Sequence, residues 1–347
     1  MLAAPKARPA PEPAKENIMD FDAVKQRRAL QSRSYISLAP NLIHLKTAYG
    51  HHEAAFEVEA GITSVTFYHG DPVQSPELLM AAAEAVTAQD RSITSVVFEG
   101  HQTSLPRHIA GTGGRLDSAI LWQWPSLWLP QLSYPLPPVQ EMTAGRYHPR
   151  RPAKPKGAVY QRFIPWLERE IAFTVADAET DLAVFHRWMN DEQVNMIWED
   201  AGSIDKHREI LEERIADPHV LPLIGSFADI PFGYFEVYWA KENRLGPFYD
   251  ADDYDRGWHV AIGEPDYRGK KWISAWLPSL MHFIFLDDPR TKRIVGEPRA
   301  SHEQQIRNLD RSGFAKVKHF DFPHKRALLV VLGRERFFGD RLWVPAS

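Results

Sequence analysis

Residues 256–273 read RGWHVAIGEPDYRGKKWI, and the reading of this stretch decides the fold. Its first half alternates: Trp258, Val260 and Ile262 share one face of an extended strand, while Gly257, His259 and Ala261 share the other. Past the turn Arg268-Gly269-Lys270-Lys271 the period changes, and apolar residues recur at helical spacing to about Phe285. A strand thus passes through a basic glycine turn into an apolar helix, and a further strand at Arg293–Glu297 follows. The helix start has a chemical consequence. Backbone N–H groups from Gly269 to about Ile273 lack intrahelical acceptors, and with the positive end of the helix dipole they suit an anion such as a pyrophosphate. Gly269 permits close approach, and Lys270 and Lys271 add charge. Alone, such a turn is usually just an exposed loop.

Working outward, the flanking sequence supplies a full set of elements. Ile171–Val175 reads as a strand and Thr180–Met189 as a helix carrying Leu182, Phe185 and Trp188 inward. Ser203 can N-cap a helix through about Ala216, with Leu211 and Ile215 on its inner face. Strands follow at His219–Phe227, Pro231–Trp239 and Gly257–Ile262. Downstream come a helix Ser301–Ser312, opened by a capping box of Ser301 with Gln304, and strands at Ala315–Phe320 and Arg326–Gly333. The order is β-α-α-β-β-β-α-β-α-β-β.

The N-terminal half is less regular. Residues 1–20 are Pro/Ala-rich and read as a disordered tail without the apolar segment of a signal peptide. Residues 21–135 read as a smaller α/β domain, with strands at Leu42–Thr47, Phe56–Tyr68 and Ile93–Phe98, a helix at Pro76–Gln89, and an aromatic-rich segment Ala119–Pro130. Residues 136–162 are dense in proline and cations and read as a linker, either solvated or lying as a cationic strap near a polyanion. Residues 163–347 form the second domain. The 347-residue length fits two domains.

Composition narrows the chemistry. The chain has no cysteine, which removes disulfides, thiolate metal sites and cysteine nucleophiles. With 41 Lys and Arg against 45 Asp and Glu, nothing in the balance suggests nucleic acid. The longest aliphatic run, Ala327–Leu332, is far short of the roughly 18–20 residues of a membrane span, so a cytoplasmic protein is expected. The 15 histidines, His51-His52 included, show no metal-ligand spacing, and no metal is expected. Gly111-Thr112-Gly113-Gly114 lacks the Lys-Ser/Thr of a phosphate loop and reads as a turn. Eleven tryptophans suit core packing first, and a stacking surface second.

From Pro152 to the C-terminus the chain resembles a known family. The strand order with its basic turn is the layout of the GNAT acyl-CoA transferases. The segments RPAKPKGAVYQRF, FHRWMNDEQV with IWED, PLIGSF, PFGYFEVYWA, YDRGWHVAIGEPDYRG, FLDDPRTKRIVGEPR and FDFPHKR are similar to the aerobactin-type N6-hydroxylysine N-acetyltransferases of siderophore biosynthesis. The N-terminal half resembles them more faintly, mainly at ILWQWPSLWLP. The resemblance implies an α/β (α+β) protein: a C-terminal GNAT domain with a mixed central sheet, behind an N-terminal domain open to being a degenerate copy of it. It implies acetyl transfer from acetyl-CoA to an N-hydroxylated amine, giving a hydroxamate that chelates ferric iron. Succinyl transfer from succinyl-CoA to hydroxyputrescine or hydroxycadaverine, or a CoA-binding scaffold without catalysis, stand as alternatives. An amine N-hydroxylase and a siderophore synthetase would be the functional neighbours.

The resemblance also assigns residues. His259, flanked on its own face by small residues that leave room for a ligand, is expected as the base or acceptor-orienting group. Its strand is expected to splay from the next where the thioester enters, with backbone N–H groups around Val260–Ile262 facing the developing oxyanion. Val260, Ile262, Arg268, Gly269, Lys270, Lys271, Trp272 and His302 are expected to hold CoA. His302 stands where relatives have Asn, since Glu297-Pro298-Arg299-Ala300-Ser301-His302 replaces their E-P-R-x-D-N. Leu309 occupies the place of a thiolate-protonating Tyr. Asn190, Trp198, Glu199, Glu236, Trp239, Arg256 and Glu297 are expected around the acceptor, the acids meeting an ammonium and Arg256 a carboxylate. His324 belongs to the family signature, with the last hairpin as the one place suggested for it.

Overall fold

Two sheets carry the chain, and each begins as an antiparallel meander that ends in a helical crossover. The computed structural model describes residues 34–39, 42–47, 53–60, 64–68, 76–99, 114–131 and 139–345. The expected tail, His51-His52 and Gly111–Gly113 lie outside the described residues.

The first sheet has six strands in sequence order: β1 (Ser34–Ala39), β2 (Leu42–Thr47), β3 (Glu53–Ala60), β4 (Ser64–Tyr68), β5 (Ser95–Phe98) and β6 (Arg115–Asp117). Helix α1 (Pro76–Thr87) crosses from β4 to β5, which run parallel. The stretch expected as one strand, Phe56–Tyr68, is divided between β3 and β4. A short helix, α2 (Ser118–Leu121), follows β6, capped by the Asp117 carboxylate on the Ala119 N–H.

The second sheet has eight strands in the order β15-β16-β14-β13-β12-β11-β10-β9. These are β9 (Ala158–Ile164), β10 (Arg169–Val175), β11 (Val220–Phe227), β12 (Ile230–Trp239), β13 (Arg256–Ile262), β14 (Arg293–Gly296), β15 (Ala315–Asp321) and β16 (Arg326–Gly333). Helices α3 (Leu182–Met189), α4 (Glu192–Trp198) and α5 (Ile204–Ala216) lie between β10 and β11, and α6 (Lys270–Asp287) crosses from β13 to β14. Helices α7 (Glu303–Arg311) and α8 (Arg334–Gly339) complete the chain. Ser203 caps α5 as its sequence position predicts, accepting from the Lys206 N–H. The capping box at α7 does not form: His302 is the N-cap, and the Gln304 amide turns to Asn308.

The 136–162 segment is more than a linker. It contains the hairpin β7 (Gln140–Thr143) and β8 (Arg146–Pro149) and most of edge strand β9. Arg151, Lys154 and Arg162 meet protein groups, while Arg150 and Lys156 are exposed. Arg151 grips both Glu242 oxygens at 2.6 and 2.9 Å. Lys154 donates to the last carbonyls of α5, at Arg214 and Ile215, where the helix dipole favours a cation. Arg162 is fully buried, donates to the Trp343 carbonyl at 2.7 Å and stacks over Trp122.

Tryptophans join the halves. Trp122 stacks between Trp128 and Trp343, each 4.8 Å between ring centroids. His282 of α6 donates to the Trp122 carbonyl and accepts from the Tyr160 hydroxyl at 2.9 Å. Burial holds its pKa well below the usual histidine value, so it is a neutral packing group. One apolar core therefore runs from α1 and β5 through α6 to Trp343.

Candidate functional site

The site is built on the register of β12 with β13. Tyr234, Glu236 and Tyr238 alternate onto one face, directly opposite Ala261, His259 and Gly257. The Glu236 carboxylate meets the His259 Nδ1 at 2.9 Å. Glu297, just past the end of β14, meets Nε2 at 3.2 Å. Each acid is held in turn: the Tyr234 hydroxyl (3.2 Å) and the Arg214 guanidinium (3.1 Å) donate to Glu236, and the Tyr238 hydroxyl (3.0 Å) donates to Glu297. The room that small neighbours were expected to leave for a ligand is used by the tyrosines. A Cβ at Gly257 would stand 2.3 Å from the Tyr238 ring.

Electrostatics follow from that geometry. Burial alone would push the His259 imidazole down, but bonds to Glu236 and Glu297 and their charges outweigh it and raise its pKa to about 9. Burial would push Glu297 up, and His259, with Lys325 and Arg244 behind it, brings it down to about 2. Glu236 is lowered for the same reason, its burial offset by His259 and Arg214. At neutral pH the unit is an imidazolium between two carboxylates, and the His259 side chain keeps 25% of its surface open. A free imidazole base is therefore not the resting form.

Beside this unit the sheet opens, as expected. The parallel ladder of β13 with β14 holds at Arg256↔Ile294 and Gly257↔Val295, while β13 continues to Ile262. The cleft of about 600 Å³ at the opening is lined by His259, Val260, Glu236, Glu297, Trp198 and Glu199, with His302 and Leu309 on the α7 side. The Trp198 indole donates to the Val260 carbonyl at 3.2 Å, fixing one wall.

Other expected residues lie elsewhere. Arg256 stacks 4.0 Å over Trp239 and pairs with Asp287 at 2.9 Å, both buried on the far side of the sheet. Alternation explains this: Arg256 shares parity with Trp258, not with His259. Asn190 exchanges bonds with the Gly202 backbone at 3.0 and 3.1 Å, closing a loop behind the cleft. The Arg268 guanidinium is engaged by the Ile262 and Gly263 carbonyls, Gln193 and Asp191, so it buttresses the turn. Trp272 packs on Tyr267 and Phe227, with centroids 4.5 and 4.9 Å away.

Gly269, at φ 102°, leads α6 with no side-chain cap. Trp272 and Ile273 already donate to its carbonyl, which narrows the leading donors to Gly269, Lys270 and Lys271. Both lysines are exposed. These three do not line the cleft.

Sequence reading missed five residues that hold Glu236 or Glu297, three of which line the cleft: Arg214, Arg244 and Lys325. Tyr234 and Tyr238 were reachable, because they sit two residues either side of Glu236. Arg214 comes from α5, and Arg244 and Lys325 from loops that folding brings to Glu297, with no local signal. His324 stacks on Phe322 in the β15–β16 turn and lines the cleft. One cluster also departs from the reading of histidine spacing: His148, His219 and Glu242 gather ligand atoms within 4.8 Å. Arg151 donates to both Glu242 oxygens, and the His148 Nδ1 lies 2.9 Å from the Pro149 carbonyl and 3.1 Å from Glu242.

Comparison with known proteins agrees with this architecture. Residues 177–322 match the acetyltransferase (GNAT) domain family. The chain is 40% identical over 234 residues to an N(6)-hydroxylysine O-acetyltransferase of Escherichia coli, covering 65% of this chain and 74% of that protein. It is 40% identical over 245 residues to a hydroxyornithine transacylase of Ajellomyces capsulatus, covering 66% of this chain and 56% of that longer protein. A crystal structure of an uncharacterized Bacillus halodurans protein superposes with a TM-score of 0.51 at 27% identity, over 55% of this chain and 96% of that one. By its strand order, its cleft and these relatives, the chain belongs to the aerobactin-type hydroxylysine N-acyltransferase family of the GNAT superfamily.

Proposed function

We propose that this protein transfers an acyl group, acetyl first among the candidates, from acyl-CoA to the nitrogen of an N-hydroxylated amine such as N6-hydroxylysine, forming a hydroxamate for siderophore assembly. The observation that carries the reading is the Glu236–His259–Glu297 unit set where β13 and β14 part. An N-hydroxyl group lowers the basicity of its nitrogen, so the acceptor is largely neutral near pH 7 and needs little base strength. A pair of acidic carboxylates around an imidazolium suits such an acceptor better than a lysine ammonium.

The proton balance closes within the unit. As the acceptor nitrogen attacks the thioester carbonyl, the C–N bond forms and the C–S bond breaks. Glu297 takes the proton the nitrogen sheds, and the His259 imidazolium gives its Nε2 proton to the departing sulfur. Transfer across the 3.2 Å contact then restores the resting charges. Backbone N–H groups of Val260–Ile262 face the oxyanion, and Gly269, Lys270 and Lys271 meet the CoA phosphates. His259 thus supplies the acid that Leu309 cannot. With no cysteine in the chain, direct attack in a ternary complex replaces an acyl-cysteine relay.

The test is a pH–rate profile with thiol release and product mass. kcat/KM should fall as pH rises through about 9, and His259→Ala should cost about 10²–10⁴-fold. A loss under about threefold, or an activity limb rising near pH 6.5, would overturn the role given to His259. Double-reciprocal lines should intersect. A ferric-binding product distinguishes N-acylation from acylation on oxygen, and CoA binding without thiol release would identify a scaffold.

A further inference from the structure

The cleft wall around Glu297 carries more positive charge than the catalytic unit needs. Arg244 Nη2 stands 3.6 Å from a Glu297 carboxylate oxygen and Lys325 Nζ 4.0 Å from it, while Lys325 donates to the Glu297 main-chain carbonyl at 2.8 Å. Glu236 and Glu297 together set two negative charges against His259, Arg214, Arg244 and Lys325. Arg299, on the same wall, has as its acid partner Glu199, 3.9 Å away and exposed. The cations act on one another. Burial lowers the Lys325 ammonium pKa, Glu297 opposes this, and the charges of Arg244 and Arg299 lower it further. Excess positive charge at a partly dry wall is unfavourable unless an anion completes it. The CoA phosphates have their own cation group at Lys270 and Lys271, off this cleft.

We propose that Arg244, Lys325 and Arg299 form a receptor for a substrate carboxylate, so that a productive pair of substrates brings one carboxylate to this wall. The inference rests on the acyl-transfer reading and narrows it. A carboxylate can come from two sources. A hydroxylated amino acid carries it on the acceptor and needs only an acetyl donor. A hydroxylated diamine lacks it, and a succinyl donor then supplies it from the acyl end. Hydroxycadaverine with acetyl-CoA supplies none.

The experiment compares kcat/KM for three pairs: N6-hydroxylysine with acetyl-CoA, N-hydroxycadaverine with succinyl-CoA, and N-hydroxycadaverine with acetyl-CoA. One of the first two should exceed the third by about tenfold or more, and which one does so identifies the source. In Arg244→Gln that ratio should shrink at least about fivefold, chiefly through KM of the carboxylate-bearing substrate. Arg299→Gln, at an exposed position, repeats the test should Arg244→Gln fold poorly. If the carboxylate-free pair works within about threefold of the others, or the ratio survives both substitutions, this inference is overturned and acyl transfer stands. If no pair releases thiol, acyl transfer falls and the inference with it.

Discussion

His259 shows how far one residue's chemistry depends on its neighbours. Its ring has a carboxylate on each nitrogen, and the protonated form is the folded one. Its pKa rises from 6.5 to about 9, so its contribution to stability is complete below 6.5 and is lost as pH climbs through 9. Glu297 falls from 4.5 to about 2, so its contribution is complete above 4.5 and is lost as pH drops toward 2. The unit therefore stabilises most between pH 4.5 and 6.5. Thermal unfolding of wild type and His259→Gln across pH 3–10 should show the largest Tm gap in that window, narrowing on both sides. Gly257 is the second residue whose size matters. In Gly257→Ala the new methyl meets the Tyr238 ring at 2.3 Å, and a loss of about 1–3 kcal/mol is expected by denaturant unfolding.

At the scale of elements, period-2 alternation in β12 and β13 accounts for much of the site. It puts Glu236 opposite His259 and sends Trp239 and Arg256 to the other face, a separation already implicit in residue parity. The start of α6 has a different role. Its N–H donors are few and its lysines exposed, so the CoA contact proposed for them would work through charge and dipole. Reversing both, with Lys270→Glu and Lys271→Glu, should raise KM for acyl-CoA about three- to tenfold with little change in kcat. High salt should shrink the difference. An unchanged KM at low salt would remove this turn from CoA binding. The start of α7 teaches the opposite lesson to α5. Ser203 caps as its position predicts, whereas Ser301 does not, because the His302 N–H bonds back to the Arg299 carbonyl and the helix begins one residue later.

Across the whole molecule, the two halves share a core centred on the Trp122–Trp343 stack. Trp343→Ala should cost about 3–5 kcal/mol and lower one shared calorimetric transition. Two separate transitions in the wild type would show that the halves fold independently. The repeated connection pattern, a meander and then a helical crossover to a parallel strand, is what a degenerate copy would display at the topological level. The sequence carried that pattern only faintly, because Gly61 is the one glycine in an otherwise strand-like Phe56–Tyr68, which reads as one strand.

The sequence by itself determined the strand order of residues 171–333 and four of their helices, though not α4 or α8, together with the exclusion of thiol chemistry and the candidacy of His259. The element order and the exclusion depend on local period and composition, which a linear chain displays, and the candidacy of His259 on the resemblance its segment carries. Only the tertiary structure decided the protonation of His259, because Glu236 and Glu297 come from different strands and burial sets the strength of both contacts. It also decided the cationic wall, since Arg244, Arg299 and Lys325 come from separate loops and strand ends. Charge that converges from distant parts of the chain has no local periodicity, and folding alone brings it together.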